Sequence, residues 1–165
     1  MRGGPGSAPY IRSVLITNHV LSGALVGRAA PGPASAFALG VASHFALDTV
    51  PHWGDDRIFL QVAVPDGLVG LGAMAWVWRT TEPAARVRVL AGMAGACLPD
   101  ADKPSTLFFG RSPFPAVVDA WHRDIQRESV RRLPQEFAVA ALGALVVRRL
   151  SRAAGPRAAR PTSSG

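Results

Sequence analysis

The sequence predicts an all-α protein, an up-and-down helical bundle of five to six helices with a polar His/Asp cluster at one end. Its apolar segments are rich in Ala and Leu, and none shows the sustained period-2 alternation of a half-buried strand. Prolines fall between these segments, where helices are expected to end. These prolines are Pro31, Pro51, Pro83, Pro99 and Pro134.

Five apolar segments carry the predicted helices in chain order. They are 11–27, 34–50, 58–78, 87–98 and 137–150. A basic, amphipathic stretch over 113–133 predicts a further helix, which suits either an anionic membrane surface or the outside of a packed bundle. Because the connections between the first four helices are short, we expect neighbouring helices to run antiparallel.

The length of 165 residues corresponds to one domain, which we place at 11–150. Stretches rich in Gly, Pro, Ser and Ala predict a flexible tail at 1–10 and a flexible basic tail at 151–165. Hydrophobic residues make up 48% and charged residues 18%, and this balance excludes a disordered chain. A single cysteine, Cys97, excludes an internal disulfide and a zinc ribbon built from cysteines.

The formal net charge is +7, and all but one of the 18 basic residues are arginines. An arginine-biased composition explains this charge, and so does attraction to anionic lipid headgroups. Nucleic acid is not an expected partner, because one Tyr and no aromatic platform accompany the arginines. A membrane-spanning helix needs about 20 apolar residues. Segment 58–78 reaches that length only if Pro65 and Asp66 lie inside it, so we expect a membrane-associated bundle, with a soluble bundle as the alternative.

Three of the four histidines, His19, His44 and His52, lie in or beside apolar segments, where polar side chains need partners, and His122 lies in the amphipathic stretch over 113–133. His44 and Asp48 are four residues apart, which places both on one face of a helix. His52 follows directly after the bend expected at Pro51. Asp100 and Asp102 close the fourth segment, where the helix dipole favours cations, so both carboxylates run against the local preference.

The expected topology brings these residues together. If the first four helices run up and down, the start of the first, the end of the second, the start of the third and the end of the fourth meet at one pole. Asp66 follows Pro65, where a new helical stretch is predicted to begin. Clustered carboxylates repel one another without cations, so the sequence predicts a metal centre at this pole. Mixed nitrogen and oxygen donors suit zinc, or manganese or iron, and such a centre activates water for hydrolysis, of phosphoesters before amides.

Four short motifs, NHVLSGALVG, SHFALDTVPHW, LPDADK and WHRDIQRES, together resemble a family of membrane-bound metal-dependent hydrolases of the LexA-regulated inner-membrane type. The likeness covers roughly residues 15–130. More remotely, His44-x3-Asp48 is similar to an element of zinc-dependent phospholipase C and P1 nuclease, which are all-helical phosphoesterases. The resemblance implies a bacterial inner-membrane location, a phosphoester substrate, for which phospholipid is one option, and a set of metal ligands. That set is His19, His44, Asp48, His52, Asp66, Asp100 and His122.

The chain departs from the remote relatives at one informative position. Gln126 stands four residues after His122, where those enzymes carry a glutamate, and Glu128 follows two residues later. We expect the catalytic general base among Asp102, Glu128 and Asp55. Two functions remain open: a metal-dependent hydrolase, or a non-catalytic helical membrane protein in which the same residues form a structural metal site or a hydrogen-bonded polar cluster.

Overall fold

Helices form almost all of the regular structure in residues 15–55 and 57–153, the part of the chain that the computed structural model describes. Within those ranges no strand occurs, and a single bridge joins His52 to Glu128. The all-α bundle predicted from the sequence is therefore confirmed. The α-helices are α1 (Ile16–Ala29), α2 (Pro33–Asp48), α3 (Phe59–Thr80), α4 (Arg86–Cys97), α5 (Asp102–Phe109), α6 (Ala116–Ile125) and α7 (Leu133–Ala153).

Helix α1 lies at the centre of the bundle, in contact with α2, α3, α4 and α7. Its apolar side chains pack against those of α3, α4 and α7 and form the buried core. This core comprises Val20, Leu21, Ala24, Val77, Val89, Met93 and Val147. A 3-10 turn over Leu98–Ala101 leads from α4 into α5, so the end of α4 delivers Asp100 to the end of the bundle where α1 begins.

Glycines bring the backbones of α1, α2 and α4 into direct contact. A Cβ on Gly92 of α4 would overlap the carbonyl oxygen of Gly23 on α1. A Cβ on Gly40 of α2 would likewise overlap the carbonyl oxygen of Gly92. Since each of these helices carries or leads into a residue of the polar cluster described below, this close approach sets how near the polar side chains can come.

Two helix boundaries differ from the sequence prediction. The prediction that a new helical stretch begins after Pro65 is wrong, because α3 runs through this proline. Pro65 removes one backbone hydrogen bond of the helix, and the apolar residues on both sides continue it. The prediction of one helix over 113–133 is also wrong. Helix α6 ends at Ile125, and Gln126 adopts an extended conformation with ψ of 133°.

The break after α6 has a physical cause in the pairing of two backbones. The amide of His52 donates to the carbonyl oxygen of Arg127 at 2.9 Å, and the amide of Ser129 donates to the carbonyl oxygen of His52 at 2.9 Å. The backbone groups of residues 127–129 therefore form hydrogen bonds with His52. In a continued helix they would have bonded to residues of the same helix instead. Helix α7 then runs to Ala153, three residues beyond the predicted domain end, and the rest of both predicted tails lies outside the described residues.

The outer surface of the bundle is strongly apolar. Among the described helices, α3 is the one long and apolar enough to cross a membrane. Of its residues only Gly70 and Val77 are buried, whereas Leu68 is 67% exposed. Phe108 and Phe109 at the end of α5 are 75% and 78% exposed. Exposed apolar surface on this scale is typical of proteins that contact a membrane or another protein.

Candidate metal centre

Three imidazoles surround the buried carboxylate of Asp48. His122 Nε2 lies 2.7 Å and His44 Nε2 lies 3.1 Å from Asp48 Oδ2, and His19 Nε2 lies 3.4 Å from Asp48 Oδ1. Asp100 joins them, with one carboxylate oxygen 3.9 Å from His19 Nε2 and the other 3.9 Å from His44 Nε2. We call these five residues the His/Asp cluster.

The His/Asp cluster is assembled from four separate stretches of the chain. Helix α1 contributes His19, and α6 contributes His122. Helix α2 contributes His44 and Asp48, whose four-residue spacing places both side chains on one face as the sequence predicts. The turn after α4 contributes Asp100. All five side chains are buried, and His19, His44 and Asp48 have no exposed surface.

Backbone and ring contacts orient two of the imidazoles. His44 Nδ1 lies 2.8 Å from the carbonyl oxygen of Ala96, and since a carbonyl only accepts, this nitrogen carries the hydrogen. In the neutral ring, the Nε2 atom that faces Asp48 then carries the lone pair. The ring of His19 stacks on that of His44 with centroids 4.0 Å apart. Among the described residues, neither ring nitrogen of His19 has a hydrogen-bond partner.

Electrostatics inside the cluster favour positive charge beside the carboxylates. Burial alone would raise the pKa of Asp48, but the hydrogen bond from His122 and the nearby imidazoles of His19 and His44 outweigh it and hold this pKa well below its usual range. Burial alone would lower the pKa of His44, but its hydrogen bond to Asp48 and the charge of Asp100 outweigh it and raise this pKa. The pocket thus stabilises an ionised Asp48 next to a positive charge, which a protonated imidazole or a metal ion can supply.

The donor set fits a bound metal ion. Zinc binds histidine nitrogen and carboxylate oxygen at about 2.0–2.2 Å, so two ligand atoms of one ion lie at most about 4.4 Å apart. The distances of 2.7–3.9 Å inside the His/Asp cluster lie within that limit. Two triplets offer such atoms without residues from outside the cluster: His19 with His44 and Asp100, and His44 with Asp48 and His122. These buried groups could therefore hold a metal ion.

Two of the three residues predicted as candidate general bases, Asp102 and Glu128, lie in different surroundings. Asp102 offers a ligand atom together with Asp100 and His122, but both of its carboxylate oxygens also accept from Lys103 Nζ, at 3.0 and 2.7 Å. Glu128 faces His52, with Oε1 4.0 Å from His52 Nε2. The backbone bridge between these two residues holds them opposite each other.

His52 is a buried histidine of defined orientation. Its Nδ1 donates to the carbonyl oxygen of Val50 at 2.9 Å, and its side chain is 2% exposed. Its Nε2 makes no hydrogen bond within the described residues and points towards Glu128. His52 shares no group of neighbouring ligand atoms with the His/Asp cluster. The structure therefore places this predicted ligand beside Glu128 as a separate pair.

Asp66 and Asp55 also lie apart from the His/Asp cluster. The Asp66 carboxylate lies 3.4 Å from the backbone amide of Thr17, two residues before His19, so Asp66 reaches the expected end of the bundle. It belongs to none of the described groups of neighbouring ligand atoms, because the continuous α3 positions it beside Thr17. Asp55 forms a double hydrogen bond with the exposed Arg57, at 3.1 and 3.0 Å.

One further buried polar residue contacts the His/Asp cluster, and two others join α1 to α7; none was assigned a role from the sequence. Gln126 Nε2 lies 3.4 Å from Asp48 Oδ2 and 3.3 Å from His122 Nε2. Asn18, next to His19, donates to the Glu136 carboxylate at 2.7 Å and ties α1 to α7. The four-residue spacing of Gln126 from His122 could have predicted their contact. The pairing of Asn18 with Glu136 could not have been predicted, because 118 residues separate them.

The fold and the site together define a class of protein: an all-α bundle with a buried His/Asp cluster that could hold a metal ion. Comparisons with protein-family models, with curated proteins and with solved structures found no match to this chain.

Proposed function

We propose that this protein is a membrane-associated, metal-dependent hydrolase of phosphoesters. The observation that supports this proposal is the His/Asp cluster, in which three buried imidazoles and two carboxylates from four stretches of the chain converge within 4 Å. Hydrogen-bonded cores rarely gather so many buried ionisable groups without a counter-ion, since each buried charge needs a partner.

Zinc is the metal that suits this donor set best. The cluster offers nitrogen and carboxylate oxygen without thiolate, a mixture found in catalytic zinc sites rather than structural ones. Manganese and iron accept the same donors and are the alternatives. When bound, such a metal lowers the pKa of a coordinated water to near neutrality and polarises a phosphoryl oxygen.

The side chains of this chain supply the remaining parts of the proposed reaction. His19, His44 and His122 present nitrogen lone pairs, and the Ala96 carbonyl fixes the tautomer of His44. We assign proton abstraction from water to Asp102, whose carboxylate offers a ligand atom together with Asp100 and His122 and also accepts from Lys103. Glu128, which lies beside His52 and apart from the His/Asp cluster, is the alternative.

The proposed location is a membrane, as the resemblance to inner-membrane hydrolases suggests. Support comes from the length and exposure of α3 and from the exposed phenylalanines at the end of α5. Phe108 and Phe109 lie at the end of α5, the eight-residue helix that begins directly after the turn that carries Asp100. A membrane that contacts these residues would lie about one short helix, roughly 12 Å, from that turn.

The test is metal analysis followed by an activity assay on the same preparation. Purified full-length protein should retain zinc and hydrolyse bis(p-nitrophenyl) phosphate, a generic phosphodiester. Asp48→Asn should remove both properties. Glu82→Gln changes an exposed carboxylate between α3 and α4, at the opposite end of the bundle, and should remove neither. Zinc retained without any phosphodiester or phosphomonoester turnover would overturn the hydrolase and favour a structural metal site.

A further inference from the structure

A large apolar cavity lies beside the His/Asp cluster. Its volume is about 770 Å³, within the range of roughly 300–1,000 Å³ typical of small-molecule sites. The walls come from α3, the start of α1, the turn after α4, and α5, with the buried Trp53 on one side. Among the described residues that line it, three carry charge: Asp66, Asp100 and Lys103.

The charged end of this cavity is continuous with the proposed metal centre. Asp100 lines the cavity and lies 3.9 Å from both His19 Nε2 and His44 Nε2. Lys103 lines the same end, with Nζ 3.7 Å from Asp100 Oδ1, and is partly exposed. A ligand in the cavity would thus have its apolar part among α3 and α5 and its polar end beside the His/Asp cluster.

The dimensions suit a hydrocarbon chain. The lining residues of α3 run from Phe59 to Met74, which is roughly 22 Å along a helix. One leaflet of a bilayer contributes about 15 Å of hydrocarbon. The cavity is flanked by α3, the candidate membrane helix, and by Phe108, so a lipid could enter from the side without leaving an apolar environment.

We propose that this cavity binds an acyl chain of a phospholipid, with its phosphate at the Asp100 and Lys103 end. The proposal rests on the proposed function and names its substrate class: a phosphoester of a long-chain lipid. The apolar walls select the chain, and the adjoining His/Asp cluster selects the phosphate. A water-soluble phosphoester would fill only the charged end and leave the apolar cavity unused.

Two glycines of α3 provide a matched pair of variants. A Cβ at Gly67 meets no atom within 4 Å, and Gly67 lines the cavity. A Cβ at Gly72 also meets no atom within 4 Å, but Gly72 does not line the cavity. Gly67→Leu therefore fills the cavity, while Gly72→Leu makes the same chemical change on the same helix outside it. Gly67→Ala is a smaller filler for use if Gly67→Leu does not fold.

The binding experiment uses a lysophospholipid with a diazirine near the end of its acyl chain, at about 1 mol% in phosphatidylcholine nanodiscs. Protein treated with chelator is irradiated, and the labelled peptides are mapped by mass spectrometry. Wild type and Gly72→Leu should be labelled at the buried Trp53. The yield of label at Trp53 should be at least five-fold lower in Gly67→Leu. If the label were spread over the outer face of α3, equally in both variants, and absent from Trp53, the protein would contact only the surrounding bilayer lipid. That result would overturn the proposal.

A second measurement separates this proposal from the hydrolase. With metal restored, Gly67→Leu should lower the ratio of long-chain phospholipid turnover to bis(p-nitrophenyl) phosphate turnover at least five-fold relative to Gly72→Leu. Labelling of Trp53 with no turnover of either substrate would overturn the proposed hydrolase while the acyl-chain site stands. Turnover of the short substrate without labelling of Trp53 would overturn the acyl-chain site alone.

Discussion

The imidazole of His44 donates its Nδ1 hydrogen to the carbonyl oxygen of Ala96 at 2.8 Å, and this bond joins α2 to the last turn of α4. Its consequence is that the Nε2 atom faces Asp48, in the centre of the His/Asp cluster. A histidine that binds metal commonly donates its other ring hydrogen to a carbonyl or carboxylate, which fixes the tautomer. The register of α2 against α4 therefore controls the direction in which His44 presents its lone pair.

Removal of either residue of the helical pair His44 and Asp48 should lower metal content. His44→Ala deletes a nitrogen donor, and Asp48→Ala deletes the carboxylate that three imidazoles approach. Loss of a residue that only hydrogen-bonds to a metal ligand already costs about 10–100-fold in metal affinity. Loss of a direct metal ligand should therefore cost at least about 100-fold. Elemental analysis after dialysis measures it, with circular dichroism as a check on folding. Unchanged stoichiometry in both variants would exclude this pair from the site.

Metal binding should also depend on the glycine contacts between helices. Gly40→Ala places a methyl group against the backbone of Gly92 and should separate α2 from α4. We expect a stability loss of about 1–3 kcal/mol, as for overpacked cores. A weaker zinc affinity should accompany it, because the bond between His44 and Ala96 spans the same interface. Urea denaturation and zinc titration measure these two effects.

The control for this prediction is Gly72→Ala on α3, where an added Cβ meets no atom within 4 Å. Alanine is the better helix former by about 0.5–1 kcal/mol, so this variant should be slightly more stable and bind zinc normally. If Gly40→Ala behaves like Gly72→Ala, the close helix approach does not govern the metal centre.

Much of this arrangement was predictable from local sequence, and the remainder depends on contacts distant in the chain. The spacing of His44 and Asp48 and the up-and-down topology correctly indicated that His19 and Asp100 would meet them. The break after α6 could not be read locally, since it comes from pairing of residues 127–129 with His52. The continuity of α3 through Pro65 could not be predicted locally either, because it depends on contacts with α1. Helix α1 packs against α3, and Thr17 contacts Asp66.

Zinc affinity should fall as the pH is lowered. Histidine binds metal only as the neutral ring, so protons compete with zinc at each imidazole. An ordinary imidazole has a pKa of about 6.5. Because the pKa of His44 is raised by Asp48 and Asp100, competition at this ring should begin above that value. Chelator competition between pH 8 and pH 5 measures the affinity, and His44→Asn should show a shallower pH dependence. An affinity independent of pH would argue against binding through the imidazoles.

Gln126 offers a way to strengthen the site. Its amide nitrogen lies 3.4 Å from Asp48 Oδ2 and 3.3 Å from His122 Nε2, so Gln126→Glu would place a further carboxylate beside both. Without metal the two carboxylates repel each other, and the melting temperature of chelated protein should fall. With zinc bound the new carboxylate should raise the affinity on the order of 10-fold, in line with the outer-shell effects known for zinc sites. Gln126→Met, which has similar length and no charge, removes the amide contact with Asp48 but adds no ligand, so its zinc affinity should not rise. Equal melting temperatures for Gln126→Glu with and without zinc would indicate that no metal binds next to Asp48 and His122.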